Sequence, residues 1–490
     1  MNVRIILLPV FLFCLNVQAQ NKDPMAAYAE FKRKAEQQYD DFRRQANKRY
    51  ADFLKSAWEA VGQKPPIPQP KDETVPPLTF PADSLPMPVK VRPIRIEDVV
   101  VPPQPEPQPQ PLSPLVPKPL PNEQTCSFTY CGTAFNVRLT GNAPQIASDL
   151  CSNEDLAAAW TVLADDQRMD LIVSDCLRLR DERKLCDWAY LNMLSALGEQ
   201  LYGKVNAATF FTAFVYCQSG YQMRLARYEG QLTMLYSTHH TVYKQPYYFV
   251  NNTPFYPYAH RVSRLEVCKA SFPQEKPLSL LLHSGPQLES APTPMRSLES
   301  KRYADLKVDI RVNKNLIDFF DTYPSSEVND NFMTRWAIYA NTPLEQETKD
   351  SLYPQLTEKI AGLSQLEAAE RLLNWVQTAF VYEYDEEVWG YDRPFFAEET
   401  LFYPYCDCED RAILFTRLVR DLLGLKCILV YYPGHLACAV NFTDCEPKGD
   451  YIQLGQDNYT ITDPTFIGAP VGRTMTGMDN STAKVIALSF

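Results

Sequence analysis

The stretch that most constrains the fold runs from Cys408 to Phe442, where a helical pattern passes into two strand patterns. Apolar residues recur at helical spacing over 412–422, and Gly424 follows as a helix stop. Residues 426–432 then form an apolar run, and a Pro-Gly turn leads into a second run over 435–442. The pattern predicts a helix packed on a buried β-hairpin, with Cys408 just before the first helical turn.

The same pattern occurs earlier in the chain. Residues 208–236 align without a gap on residues 412–440, and nine of the 29 pairs are identical, including the glycines at both turns. The earlier copy has Lys204 at the position of Cys408 and Gln231 at the position of His435. We therefore predict an internal duplication whose first copy lacks both reactive side chains.

Three residues in the second copy form a candidate catalytic set. Cys408 precedes a helix, His435 opens a strand, and Asp463 follows an alternating segment and precedes a proline, which is typical of a strand end. A thiol, an imidazole and a carboxylate are the groups that nucleophilic catalysis requires. The helix N-terminus is expected to depress the pKa of the Cys408 thiol and to hold an oxyanion. Asp457 and Asp444 are alternative carboxylates.

These residues resemble the transglutaminase-like superfamily of papain-type folds. The resemblance spans roughly residues 366–466 and is carried by Cys408-x-Asp410-x-Ala412, by His435 on a strand and by Asp463-Pro464-Thr465. It implies an α+β fold in which Cys408 is the nucleophile, His435 the general base and acid, and Asp463 the orienting carboxylate. The implied activity is acyl transfer at an amide of a peptide or protein substrate, and we favour hydrolysis over crosslinking of Gln to Lys.

The resemblance has two departures, and two other interpretations stay open. Cys406 stands where many members have glycine, and Leu-Ala follows His435 where Ala-Trp is common. A zinc site from Cys406, Cys408, His435 and Cys445 is one alternative, although Cys-x-Cys is closer than the usual ligand spacing. A non-catalytic exported scaffold with a structural Cys408 is the other. We expect no metal or other cofactor.

The second copy carries about 22 extra residues before its cysteine, close to residues 384–405. An additional loop beside a nucleophile, present only in the competent copy, indicates a substrate-binding wall. Trp389 and Tyr405 are the candidate substrate contacts in this segment, and packing is the alternative role for Trp389.

The N-terminal part contains three segments of different character. Residues 1–19 predict a cleaved export signal, and Phe13 before Cys14 argues against a lipoprotein signal, so we expect a periplasmic or secreted protein. Residues 22–62 predict an amphipathic helix, in which an aromatic stripe repeats every 11 residues over 28–60. The stripe either packs on the protein's own domains or pairs with a partner helix or a second copy.

Residues 63–122 contain 20 prolines and predict an extended, semi-rigid linker. Within it, residues 89–96 alternate and predict an edge strand for a downstream sheet. The rest of the chain is predicted to form two tandem papain or transglutaminase-like domains. The first, over 123–262, is degenerate, the second, over 301–490, is catalytic, and residues 263–300 connect them. The long N-terminal helix and the linker precede them.

Composition narrows the class of partner. The net charge of −11 argues against nucleic acid. After the signal, no apolar run is long enough to cross a membrane. The 13 cysteines show no compact disulfide framework, and their connectivity cannot be read from their spacing.

Overall fold

The structure is a computed structural model, and it describes residues 24–70, 75–81, 90–115, 117, 121–259, 263–479 and 481–489. The predicted export signal, residues 1–19, lies outside these ranges. Within them, no helix combines the length and apolar character needed to cross a membrane.

Helices and strands are mixed along the chain, which confirms the predicted α+β class. The helices are α1 (Pro24–Leu54), α2 (Asn153–Asp165), α3 (Gln167–Glu182), α4 (Asp187–Tyr202), α5 (Asn206–Gln218), α6 (Lys314–Phe320), α7 (Thr334–Asn341), α8 (Gln346–Ile360), α9 (Gln365–Ala379), α10 (Asp385–Val388), α11 (Ala397–Phe402) and α12 (Cys408–Leu418). A π-helical turn over Val419–Leu423 extends α12.

The strands are β1 (Trp58–Gly62), β2 (Val91–Ile94), β3 (Val99–Val100), β4 (Glu123–Tyr130), β5 (Thr133–Thr140), β6 (Met223–Tyr228), β7 (Gln231–Ser237), β8 (Thr241–Val242), β9 (Tyr248–Val250), β10 (Thr253–Pro257), β11 (Arg264–Cys268), β12 (Arg296–Glu299), β13 (Lys307–Ile310), β14 (Ser326–Glu327), β15 (Val381–Tyr382), β16 (Tyr405–Cys406), β17 (Cys427–Tyr432), β18 (His435–Val440), β19 (Tyr451–Leu454), β20 (Asp457–Thr462) and β21 (Lys484–Ala487).

Two larger sheets organise these strands. One has six strands in the order β1-β11-β6-β7-β10-β9, and the other has seven in the order β2-β19-β20-β18-β17-β21-β3. Helix α5 packs on the first sheet and α12 on the second. Because α12 leads into β17, and β18 turns back beside it, the helix N-terminus and the start of β18 come to the same end of the sheet.

The helix and hairpin of each sheet correspond in register. We call the six-stranded sheet with its helices the first unit and the seven-stranded sheet with its helices the second unit. In the first unit Tyr228 pairs with Gln231 across the turn, and in the second unit Tyr432 pairs with His435. All six residue pairs of β6–β7 map onto those of β17–β18 with the offset of 204 found in the sequence. A separate hairpin, β4–β5 or β12–β13, precedes the helices of each unit.

Helix α1 is shorter than predicted, because it ends at Leu54 and residues 58–62 form β1 against β11. The indole N–H of Trp58 donates to the Leu54 carbonyl oxygen at 2.6 Å, which satisfies a backbone acceptor at the end of the helix. The aromatic stripe has two fates. Tyr50 is buried against Trp160, whereas Phe31 is 69% exposed.

The described parts of the proline-rich tract lie against both units instead of standing apart from them as a linker. Strand β2 pairs in parallel with β19, which confirms the predicted edge strand, and β3 pairs with β21. Near the other sheet, the Gln110 carbonyl fits against Gly220, where an added Cβ would lie 2.0 Å from that oxygen. The described residues of the tract therefore belong to the folded body.

Candidate active site

A cavity of about 50 Å³ lies where the N-terminus of α12 meets the start of β18. Cys408 and His435 both line it, and they are 4% and 2% exposed. Cys408 is the first residue of α12, and His435 is the first residue of β18 after the Gly434 turn. The topology thus brings together two of the predicted residues.

The third predicted residue, Asp463, is hydrogen-bonded to the histidine. His435 Nε2 lies 2.9 Å from Asp463 Oδ2, and both side chains are buried. Because a carboxylate can only accept, Nε2 carries a hydrogen, and Nδ1 is the nitrogen left to take a proton. Nδ1 has no hydrogen-bond partner among the residues that the structure describes.

The Asp463 carboxylate is held rigidly by its own turn. Its Oδ1 accepts from the backbone N–H groups of Thr465 at 2.9 Å and Phe466 at 3.1 Å, so Oδ2 is the oxygen that serves the imidazole. The two alternative acids are occupied elsewhere. Asp457 accepts from Lys426, and Asp444 accepts from the backbone of Gln365.

The Cys408 thiol is engaged by a neighbouring carboxylate. It donates to Glu409 Oε2 at 3.1 Å, and no hydrogen bond joins it to His435 in this arrangement. Burial, followed by the charges of Glu409 and Asp407, raises the pKa of the thiol well above its ordinary value, although a backbone hydrogen bond from Leu436 lowers it. The prediction of a depressed pKa was therefore wrong, because the two flanking acids and desolvation outweigh the helix N-terminus.

A tryptophan that the sequence analysis missed also lines the cavity. Trp336, in α7, is 4% exposed, and its indole N–H has no hydrogen-bond partner among the described residues. The ring is held by stacking on Tyr431 at 5.4 Å and by the Arg335 guanidinium at 4.6 Å. No local signal could have identified it, since α7 is far from Cys408 in the chain.

Acidic side chains form one wall of the cavity. Carboxylate oxygens of Asp385, Asp392 and Glu409 all lie within 4.8 Å of one another, and Asp407 lines the same space. Burial first, and then the charge of Glu409, raises the pKa of Asp385 to about 8 and that of Asp392 to about 6. The run of acids around residue 385 and the two acids beside Cys408 were visible in the sequence as a signal for this wall.

The alternative zinc site is not assembled. Among the described residues, the side chains that approach one another as metal ligands do are this acidic trio and the adjacent group of Asp407, Cys408 and Glu409. Neither includes Cys406, His435 or Cys445. Cys406 instead accepts from the buried Arg411 at 3.5 Å. All twelve cysteines within the described ranges are free thiols.

The additional loop reaches the cavity through residues other than those singled out. It supplies Asp385 and Asp392 to the wall, whereas Trp389 and Tyr405 are not lining residues. Trp389 packs on the Tyr403 ring at 4.9 Å and under the Arg393 guanidinium at 4.4 Å. Tyr405 is 39% exposed in β16.

Asp410, the second residue of the Cys-x-Asp motif, positions this loop. It is fully buried and accepts from the backbone N–H groups of Phe395 at 2.8 Å and Asp407 at 3.2 Å. One contact holds the middle of the additional loop, and the other holds the residue before Cys408. The acidic wall is thereby tied to the start of α12.

The corresponding region of the first unit is a wider cleft of about 550 Å³, lined by Lys204 and Gln231. Lys204 is exposed and lies 3.7 Å from Glu199. His240 does not line this cleft and follows the opposite end of β7; it is buried, and desolvation lowers its pKa to about 3, so it is neutral. Comparison of the chain with protein-family models, with curated proteins and with solved structures finds no match.

Proposed function

We propose that the protein is a thiol-dependent acyl-transfer enzyme of the transglutaminase-like kind that hydrolyses an amide through Cys408, His435 and Asp463. The observation that carries the proposal is the state of His435, which is buried, bonded through Nε2 to Asp463 and unpaired at Nδ1 in the cavity that Cys408 lines. An imidazole needed only for packing would not have one nitrogen held by a carboxylate and the other directed to no partner.

In the first step the thiol attacks the substrate carbonyl. Because the pKa of Cys408 is raised, the resting group is a thiol, and His435 Nδ1 takes its proton as the sulfur–carbon bond forms. This requires the Sγ atom to turn from Glu409 toward the imidazole. Active-site hydrogen bonds are often loose before substrate binds, so the resting geometry is compatible with this step.

The tetrahedral oxyanion then needs hydrogen-bond donors. The backbone N–H of Cys408 stands at the start of α12, and the unpaired indole N–H of Trp336 is the second donor. Collapse breaks the carbon–nitrogen bond, and His435 gives its proton to the leaving amine. Water, activated by His435, hydrolyses the thioester and restores the thiol.

The proposal extends to the whole chain. The shared register of the two helix–hairpin units supports tandem domains of one type, with Lys204 and Gln231 making the first non-catalytic. Together with the predicted signal at 1–19, this describes an exported enzyme with a buttressing or ligand-binding first domain.

Turnover of a peptide library by the chain without its signal tests the proposal. Mass spectrometry should detect a substrate acyl group on Cys408 and cleaved products in solution. Cys408→Ala and His435→Ala should abolish both, and Cys445→Ala, which removes a thiol outside the cavity, should abolish neither. Absence of products and of an acyl adduct with every peptide would overturn the proposal and favour the scaffold.

A labelled primary amine added to the same reactions distinguishes the acceptor. Hydrolysis leaves the label in solution, whereas its Cys408-dependent incorporation into a Gln-bearing protein would identify a transamidase.

A further inference from the structure

The acidic wall has more carboxylates than cations. Arg335 Nη2 lies 3.1 Å from Asp392 Oδ2, which accounts for one of the charges. Asp385 accepts a backbone N–H from Arg393, and Glu409 accepts from the Cys408 thiol. Neither of these two carboxylates pairs with a cation in the part of the chain that the structure describes.

A second observation points to a missing ligand. Asp407 is 5% exposed and lines the cavity, and its Oδ1 atom is buried with no hydrogen-bond partner among the described residues. Asp392 Oδ1 is also buried and has no hydrogen-bond partner among the described residues. Buried carboxylate oxygens without donors are rare, because such an oxygen has lost its hydrogen bonds to water and gained none in return.

We propose that the carboxylates of Asp385, Asp392 and Glu409 bind a primary ammonium group of the amide substrate and draw the Glu409 carboxylate off the Cys408 thiol. The inference rests on the proposed function and names the substrate class for that site: an amide with an ammonium group close to the bond that is cleaved. A lysine-like side chain and a free α-amino group are the two sources of this chemistry.

The geometry of the acidic trio fits an ammonium. An ammonium has three donors for three ionised carboxylates, so Asp385, whose pKa is raised to about 8 by burial and by the charge of Glu409, releases its proton to solvent as the ammonium binds. Charge-assisted bonds of 2.7–2.9 Å at tetrahedral angles place the acceptors about 4.6 Å apart. The three oxygens lie within 4.8 Å of one another. A calcium ion prefers six to eight oxygen ligands, which is more than the three carboxylates of the trio supply as single ligands.

Because the acidic trio lies beside the Cys408 sulfur, binding of the substrate ammonium also affects the nucleophile. Glu409 contacts the Cys408 thiol through Oε2 and belongs to the trio, so a bound ammonium competes with the thiol for this carboxylate. A bound positive charge also offsets the carboxylate charges that raise the pKa of the thiol. An ammonium-bearing substrate therefore frees the nucleophile as it binds, and an uncharged substrate leaves it bonded to Glu409.

Matched peptides test the inference. Each peptide carries one lysine at a defined position near the scissile amide, and its partner carries norleucine there; both are made with free and with acetylated N-termini. We expect kcat/KM to favour lysine, or the free N-terminus, by about 100-fold at one position. Asp385→Asn and Glu409→Gln should each cut this ratio at least tenfold. Glu387→Gln, on the same short helix but exposed and outside the cavity, should preserve the ratio.

The outcomes separate the two proposals. Equal cleavage of charged and uncharged peptides, or an unchanged ratio in both variants with a native Tm, would overturn the inference and leave the enzyme. Increased turnover of the norleucine peptide on addition of Ca²⁺ or Mg²⁺, reversed by EDTA, would assign the trio to a metal ion and also overturn it. Failure of the wild type to cleave or to acylate with any peptide would instead refute the proposed function.

Discussion

At the scale of single residues, Asp463 and His435 were predictable, and the protonation of Cys408 was not. A strand end before proline and a turn before a strand are local features that place both side chains at one end of a sheet. The pKa of the Cys408 thiol, in contrast, is set by opposing effects: burial and nearby carboxylates raise it, and a backbone hydrogen bond lowers it. Glu409 and Asp407 were visible beside Cys408, but their burial, which decides their effect on the pKa of the thiol, is a property of the folded structure.

Trp336→Phe should lower kcat by about 100-fold to 1,000-fold with little change in KM, because it removes one oxyanion donor and keeps the aromatic ring. The stacking on Tyr431 at 5.4 Å remains available to phenylalanine, so Tm should change little. Steady-state kinetics and thermal unfolding measure the two effects. A variant with wild-type kcat would remove Trp336 from the mechanism.

Glu409→Gln should increase the rate at which iodoacetamide alkylates Cys408 at pH 7. Glu409 is the largest charge contribution that raises the pKa of the thiol, and lowering that pKa by one unit gives about ten times more thiolate. Mass spectrometry of the labelled protein over time measures the rate. Glu387→Gln provides the control, and an equal rate in all three proteins would contradict the assigned cause.

Asp385→Asn should flatten the dependence of stability on pH. The pKa of Asp385 is raised to about 8 by burial and Glu409, so between about pH 4 and 8 the folded state keeps a proton that the unfolded state releases. The free energy of unfolding therefore falls as pH rises through this window. Thermal unfolding at pH 5 and pH 8 should give a larger drop in Tm for the wild type than for Asp385→Asn, and identical drops would refute this sign.

At the scale of secondary-structure elements, the helix and hairpin around Cys408 were predictable and the end of α1 was not. Helical periodicity, a glycine stop and a Pro-Gly turn specify α12, β17 and β18 from local sequence alone. The change from helix to strand after Leu54 depends on pairing with β11, about 200 residues away. Long-range pairing of this kind leaves no periodic signal in the shorter partner.

Gly220→Ala should destabilise the protein more than Gly230→Ala does. Both glycines have positive φ, at 96° and 78°, so both variants carry backbone strain of about 1 kcal/mol. Only Gly220 also meets the Gln110 carbonyl, whereas a Cβ at Gly230 meets nothing within 4 Å. Urea unfolding measures the difference in the free energy of unfolding. Equal effects of the two substitutions would show that the proline-rich tract can move away from residue 220 without loss of stability.

At the scale of the whole molecule, the proline-rich tract connects the two units through backbone contacts. Lys64 pairs with Tyr247 in the first unit, and the Val75 N–H donates to the Gly434 carbonyl at 3.0 Å beside His435. Composition predicted an extended chain because prolines restrict φ, but it could not predict the course of the tract. Contacts through main-chain atoms require no particular side chains and therefore leave no pattern.

Removal of the first 122 residues should therefore destabilise both units, whereas removal of the exposed start of α1 should not. A chain beginning at residue 123 loses Tyr50 from the Trp160 cluster, and it loses β1, β2 and β3, which uncovers strand edges in both sheets. Exposed edges promote association between chains. We expect a lower Tm and aggregation, measured by thermal unfolding and light scattering.

A chain beginning at residue 36 keeps the Arg43–Asp170 ion pair and every buried residue of α1, so its Tm should match that of the full chain. A stable, monodisperse protein beginning at residue 123 would show that the tract and α1 do not stabilise the two units.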